Sequence, residues 1–146
     1  KGCQAQLIGA MHYRMVATPA FFQRWFGQGI HRESLRKAPA IMIRITCMES
    51  LTDYYGLSQP SYPSYSIPSS TAFAEAVFAG LSYGLVPDYQ IADRFQQNAL
   101  LEILPECRTD LKLYWHHWKQ QSPALQQLTQ TILEQAEQHL NYPIPI

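Results

Sequence analysis

From Tyr65 to Pro87 the chain runs Tyr-Ser-Ile-Pro-Ser-Ser-Thr-Ala-Phe-Ala-Glu-Ala-Val-Phe-Ala-Gly-Leu-Ser-Tyr-Gly-Leu-Val-Pro. That is a strand, a polar turn, a short helix and a second strand, an order that leaves little besides a βαβ unit. Ser69 and Ser70 can each offer a side-chain oxygen to the unpaired N–H groups of a first helical turn. Phe73, Ala76, Val77 and Gly80 then fall at i, i+3, i+4 and i+7, the spacing of one buried helix face. Gly80 stands where a helix needs a left-handed residue to stop, and Leu81 to Val86 is a short apolar run ended by Pro87. In a parallel crossover the helix amino terminus lies at the carboxyl end of the first strand, where free N–H groups and the helix dipole favour an anion. Ser69, Ser70 and Thr71 are therefore the candidate ligand contact, and simple helix capping accounts for the same residues. The pattern predicts that strands at 40–45, 65–67 and 81–86 share one sheet, with the helix crossing between the last two in the right-handed sense.

At 146 residues the chain has room for one domain with its own core. Eleven Lys and Arg balance eleven Asp and Glu without a basic run, which gives no sign of a nucleic-acid surface. No segment approaches the roughly 20 apolar residues of a membrane span. Cys3, Cys47 and Cys107 are odd in number and lack CxxC spacing, so they read as core thiols of a reducing, cytoplasmic compartment rather than a disulfide framework or zinc site. His116 and His117 adjoin on a strand and point to opposite faces, so they cannot share a metal. There is no Gly-x-Ser-x-Gly elbow and no glycine-rich phosphate loop. The expectation is a protein that is not an enzyme and takes no cofactor or metal.

Before the central unit, Gln4 to Ala17 reads as one or two strands, and Thr18-Pro19 leads into a short aromatic helix with Phe21, Phe22, Trp25 and Phe26 on its faces, ended by Gly27 and Gly29. His31 to Lys37 is charged and surface-like. Ala40 to Ile45 has the length of a buried strand, with Arg44 and Thr46 at its carboxyl end. Met48 to Tyr55 can form a helical turn or two, and Gly56 to Ser66, with Pro60 and Pro63, reads as a surface loop. After the unit, Tyr89 to Phe95 suits a short helix and Ala99 to Leu104 an extended segment. Leu111 to Trp118 reads as a strand, with Leu111, Leu113, Trp115 and His117 on one face, Lys112, Tyr114, His116 and Trp118 on the other, and both faces partly covered. Ser122-Pro123 opens a long helix whose stripe is Leu125, Leu128, Ile132, Leu133, Ala136 and Leu140.

The Thr18-Pro19-Ala20-Phe21 step, the Phe22-Gln23-Arg24-Trp25-Phe26 and Arg32-Glu33-Ser34-Leu35 strings, the Ser69-Ser70 turn, Gly84-Leu85-Val86-Pro87, and Leu113-Tyr114-Trp115-His116 followed by a long helix occur in one order. In this the chain, from about Gly2 to Asn141, resembles the carboxyl-terminal part of LysR-type transcriptional regulators, and is most similar to the branch of ArgP, also called the chromosome initiation inhibitor IciA, and LysG.

The resemblance implies an α/β, periplasmic-binding-protein-like effector domain, with subdomain II complete and only the carboxyl-terminal strand and helix of subdomain I present. On that reading residues 1–19 are the crossover strand and hinge, 20–106 are subdomain II, and 107–146 return to subdomain I. It further implies an effector-sensing and oligomerising role, with promoter DNA read only by an amino-terminal domain outside this chain. The alternative is a solute-binding module of the same architecture serving transport. In the family the effector lies between the subdomains, at the helix start after the βαβ strand and at the loop after the earlier strand. Carried over, this gives Ser69, Ser70, Thr71, Arg44 and Thr46, with Thr18 at the hinge. The branch senses basic amino acids such as lysine or arginine, whose side-chain cation would need an acid, and Asp53, Glu49 and Asp88 are the candidates. The apolar stripe of the last helix predicts self-association.

Overall fold

The computed structural model describes residues 2–42, 54–57 and 62–140, without the side chain of Met42. The chain divides into two compact units, one of the residues up to His12 together with those from Asp110 on, the other of Tyr13–Thr109. These divisions fall at 12/13 and 109/110, and strand β1, Cys3–Ala17, runs unbroken through the first of them. Among the described residues no helix is long and apolar enough to cross a membrane.

In the Tyr13–Thr109 unit, β1 is followed by α1 (Pro19–Phe26), α2 (Arg32–Lys37), β2 (Ala40–Met42), β3 (Ser64–Ser66), α3 (Ser70–Phe78), β4 (Tyr83–Pro87), α4 (Asp88–Gln96) and β5 (Leu101–Glu102). The strands lie in the order β3-β2-β4-β1-β5. β2 is parallel to both β3 and β4, and β1 is antiparallel to β4 and β5. The three expected strands thus share a sheet and run parallel, and the helix-bearing crossover from β3 to β4 steps over β2. Residues 43–45 of the expected strand and 48–53 of the expected turn lie outside the described residues.

Alternation along the strands sends successive side chains to opposite faces. Met15, Ala40 and Leu85 join Phe21, Phe26, Leu35 and Tyr83 in one core, which α1 and α2 cover. Val16, Ile41 and Val86 join Phe73, Val77 and Ile91 in a second, which α3 and α4 cover. A sheet covered on both faces needs apolar residues at every position, which is why β4 is buried throughout. The aromatic helix reads as expected: Phe26 meets Tyr83 edge-on at 5.7 Å between ring centroids.

Local chemistry sets the helix ends. The Thr18 hydroxyl accepts from the Phe21 N–H at 3.2 Å, with Pro19 in the first helical position. α3 ends in a Schellman motif in which Gly80 donates to the Val77 carbonyl and Leu81 to that of Ala76. Gly80 takes φ +73°, which an L side chain adopts only under strain.

Three readings need correction here. His31 to Lys37 is not merely charged surface: it contains α2, with Leu35 buried. Its capping box is built from His31, whose Nδ1 accepts from the Ser34 N–H, and Ser34, whose Oγ accepts from the His31 N–H, in place of the usual Ser and Glu. The proline-rich segment is not all surface, since Leu57 and Tyr62 are 0% and 4% exposed and complete the first core. Of the thiols, Cys107 is buried but Cys3 is exposed, because it lies at the start of β1, where every residue from Cys3 to Ala5 is open to solvent; Cys47 lies outside the described residues. Burial, followed by the Glu106 charge, pushes the Cys107 thiol up to about 11, so it stays protonated and unreactive.

In the other unit the first part of β1 pairs with β6, Thr109–Trp118. The Lys119 N–H donates to Gly2, and His12 meets Asp110 at 2.6 Å, so the two strands run in opposite directions. α5, Pro123–His139, is capped by Ser122. The alternation on β6 is as expected, but only one face is covered. Leu111, Leu113, Trp115 and His117 are half-buried, and Trp115 donates to the Thr129 hydroxyl of α5 at 3.1 Å. The face bearing Lys112, Tyr114, His116 and Trp118 is exposed, and the Trp115–Thr129 bond to α5 falls on the other face. On α5, Thr129 and Ala136 are buried, Ile132, Leu133 and Leu140 half-buried, and Leu125 and Leu128 exposed.

Candidate functional site

Because β3, β2 and β4 are parallel, their carboxyl ends share one edge of the sheet, and α3 and α4 both start there. Ser64 and Tyr83 are both registered to Ala40. Ser69, the cap of α3, and Asp88, the first residue of α4, both follow the carboxyl ends of strands that flank β2.

At the α3 start, Ser69 is extended (φ −112°, ψ 123°) and its hydroxyl accepts from the Ala72 N–H at 3.4 Å. Ser70 is the first helical residue and does not share the capping role. The helix itself supplies no acceptor for the N–H groups of Ser70 and Thr71, and Ser69, Ser70 and Thr71 are all exposed.

The α4 start is different. Asp88, the first helical residue after Pro87, is only 5% exposed, and its charge complements the helix dipole. Its Oδ1 accepts from Arg14 Nε at 2.8 Å, while its Oδ2 is buried without a hydrogen-bond partner among the described residues. Arg14, 8% exposed on β1 opposite Val86, also reaches Glu102 Oε2 at 3.5 Å. Arg108 clamps Glu102 with two bonds, Nε to Oε1 at 2.6 Å and Nη2 to Oε2 at 2.7 Å. Two cations and two carboxylates thus link β1, the α4 start, β5 and the segment before β6.

The Arg108 hydrogen bonds hold the Glu102 carboxyl below its ordinary value, against burial, with the Arg108 and Arg14 charges adding to the effect. A carboxylate lowered on folding stabilises the folded state above its unfolded value, near 4.5, and that contribution is lost as the pH falls through its folded value. Arg108→Ala is expected to flatten the fall of stability below pH 4.5. Denaturant midpoints measured stepwise in acid check this, and identical acid profiles for the two proteins would refute it.

Of the residues expected at the site, Ser69, Ser70 and Thr71 stand together on this edge, while Arg44 and Thr46 lie outside the described residues, as do Glu49 and Asp53. Thr18 is on the other edge. β1 is antiparallel to β4, with Val16 opposite Gly84, so the chain leaves β1 beside the start of β4. A Cβ on Gly80, at the far end of α3, would lie 3.2 Å from the Thr18 hydroxyl. Sequence reasoning missed Arg14 and Glu102. For Arg14 a signal existed, a lone cation among Met11, Tyr13, Met15 and Val16 on one strand, which a buried position obliges to find an acid.

Residues 1–137 match the LysR substrate binding domain family. The HTH-type transcriptional regulator ArgP of Vibrio parahaemolyticus serotype O3:K6 (strain RIMD 2210633) is 35% identical over 141 residues, covering 94% of this chain and 47% of that protein. The chain therefore spans about half the length of the curated relatives it matches. Among solved structures, ArgP from Mycobacterium tuberculosis superposes with a TM-score of 0.83 at 25% identity, over 98% of this chain and 50% of that one. Full-length LysG from Corynebacterium glutamicum gives 0.80 at 25%, over 97% and 48%. The same LysG with the effector Arg bound gives 0.78 at 24%, over 97% and 49%. With its mixed sheet covered by helices and a family match over nearly its whole length, the chain belongs to the LysR substrate-binding-domain family, with a periplasmic-binding-protein-like α/β fold, and is similar to the ArgP and LysG regulators.

Proposed function

We propose that this effector-binding domain senses a small amino acid, lysine or arginine, for a regulator whose DNA reading belongs to a separate helix-turn-helix, and that the α3 start holds the effector's carboxylate. The observation that carries the reading is the exposed α3 start, where Ser70 and Thr71 offer backbone N–H groups beside the Ser69 hydroxyl at the carboxyl edge of parallel strands. A LysG of the same fold holds arginine as its effector, which makes a basic amino acid the first ligand to test. The ArgP relatives are named as transcriptional regulators, and that favours sensing over transport. Arginine titrated into the chain is expected to shift the backbone amide signals of Ser70 and Thr71, whereas agmatine, which lacks the carboxylate, leaves them in place. Agmatine acting as well as arginine would remove the carboxylate from the α3 start.

A further inference from the structure

We propose that the free edge of β6 is a self-association site, at which a second copy of this chain adds its own β6 antiparallel to the first about Leu113. The contact joins two sheets edge to edge and needs no effector.

Among the described residues β6 pairs with β1 alone, so one edge of this ten-residue strand has no neighbour. A strand edge is a row of unmet N–H and C=O groups, and proteins protect such edges with proline, bulges or repeated charge. β6 reads Thr-Asp-Leu-Lys-Leu-Tyr-Trp-His-His-Trp, with no proline or glycine and a single lysine. The first part of β1 has an open edge too, but Gly9 interrupts it at φ 144°, outside strand geometry. The Lys119 N–H points to Gly2 at the head of β1. Backbone direction alternates along a strand, so the groups facing the free edge of β6 are those of Asp110, Lys112, Tyr114, His116 and Trp118. The same residues carry the open face, on which Tyr114 and Trp118 are 50% and 63% exposed.

The order of side chains decides what this edge receives. Asp110 and Lys112 stand at the start of β6, and His116 and Trp118 at its end. A parallel copy in register would set lysine beside lysine and aspartate beside aspartate, and like charges placed opposite one another are destabilising. An antiparallel copy avoids this. A two-fold axis normal to the sheet keeps every side chain on its own face, so even-numbered residues oppose even and odd oppose odd. Centred on Leu113, the pairing runs the length of the strand. Lys112 then lies opposite the partner's Tyr114, cation against ring, and Asp110 opposite the partner's His116. On the face toward α5, Leu111 meets the partner's Trp115. Moving the axis to Tyr114 sets Asp110 against the partner's Trp118 and Lys112 against the partner's His116, and both complementary pairs are lost. Symmetry makes each pair twice, and two strands become four, past the size at which a sheet is stable by itself.

The test is sedimentation of the chain across the micromolar range, with amide hydrogen exchange at low and high concentration. A monomer–dimer equilibrium is expected, with the Lys112, Tyr114 and His116 amides exchanging more slowly in the dimer. Tyr114→Lys sets lysine opposite lysine at two places and should weaken dimerisation at least about tenfold. Adding Lys112→Glu sets glutamate opposite lysine at both places and should restore it. Neither change touches the face toward α5, and the Trp115 indole N–H signal, from the bond to Thr129, reports that α5 still packs. A monomer at every concentration overturns the inference and leaves the edge to a strand other than a second copy. A dimer that Tyr114→Lys leaves intact, or whose β6 amides exchange as fast as in the monomer, also overturns it and moves the contact elsewhere, as to the exposed Leu125 and Leu128 of α5. Should Tyr114→Lys lose the indole signal, the concentration dependence of exchange in the unaltered chain decides alone.

Discussion

Arg14→Met is expected to destabilise the Tyr13–Thr109 unit by about 3–5 kcal/mol, the range for removing one partner from a buried ion pair. Methionine matches most of the arginine stem, so the loss is mainly electrostatic rather than a cavity. Glu102 keeps its two bonds from Arg108, so the main casualty is Asp88, left buried with both oxygens unpaired. Adding Asp88→Asn removes that charge and should restore part of the loss, a coupling that only neighbouring groups show. Hydrogen exchange at the β1 and β4 amides that lie opposite one another, those of Val16 and Gly84 among them, reads this unit separately from the other. A loss below about 1 kcal/mol, with no recovery in the double variant, would show that the cluster is solvated rather than buried.

Gly84→Ala should cost about 1–3 kcal/mol, the usual penalty for overpacking a full core. Gly84 lies on β4 between β2 and β1. An added Cβ would stand 2.9 Å from Phe73 Cζ and 3.1 Å from the Ile41 carbonyl oxygen. The ring can turn only within a second core already filled by Ile41, Val77 and Val86, and the carbonyl belongs to the neighbouring strand. The α3 helix sits this low on the sheet because residue 84 has no side chain. Denaturation midpoints check the prediction, and Phe73→Leu in the same chain should recover part of the loss by opening space at the ring. Unchanged stability in Gly84→Ala would mean that α3 rides further from β4 than these contacts show.

The match between sequence and structure follows the range of the interactions involved. Thr18, Ser69, Ser122 and Gly80 mark helix ends through bonds that reach three to five residues along the chain, as in Ser69 with Ala72 and Leu81 with Ala76. Residue type and spacing suffice there, and the aromatic helix, the central crossover and the last helix are legible for that reason. α2 was not, because a His31–Ser34 box satisfies the same N–H groups with an uncommon pair. Leu57 and Tyr62 were hidden by the prolines around them, since proline reports backbone irregularity and is silent on burial.

The site divides the same way. By itself the sequence determined that a serine-capped helix start follows β3, and that an acid stands at residue 88. Only the tertiary structure decided that β2 lies between the two strands, that Thr18 falls on the opposite edge from Ser69, and that Asp88 meets Arg14, 74 residues away in the chain. Strand order and charge pairing are settled by which apolar faces close on one another. That closure brings together groups from remote parts of the chain, whereas a local pattern carries information only about its own turn of helix or run of strand.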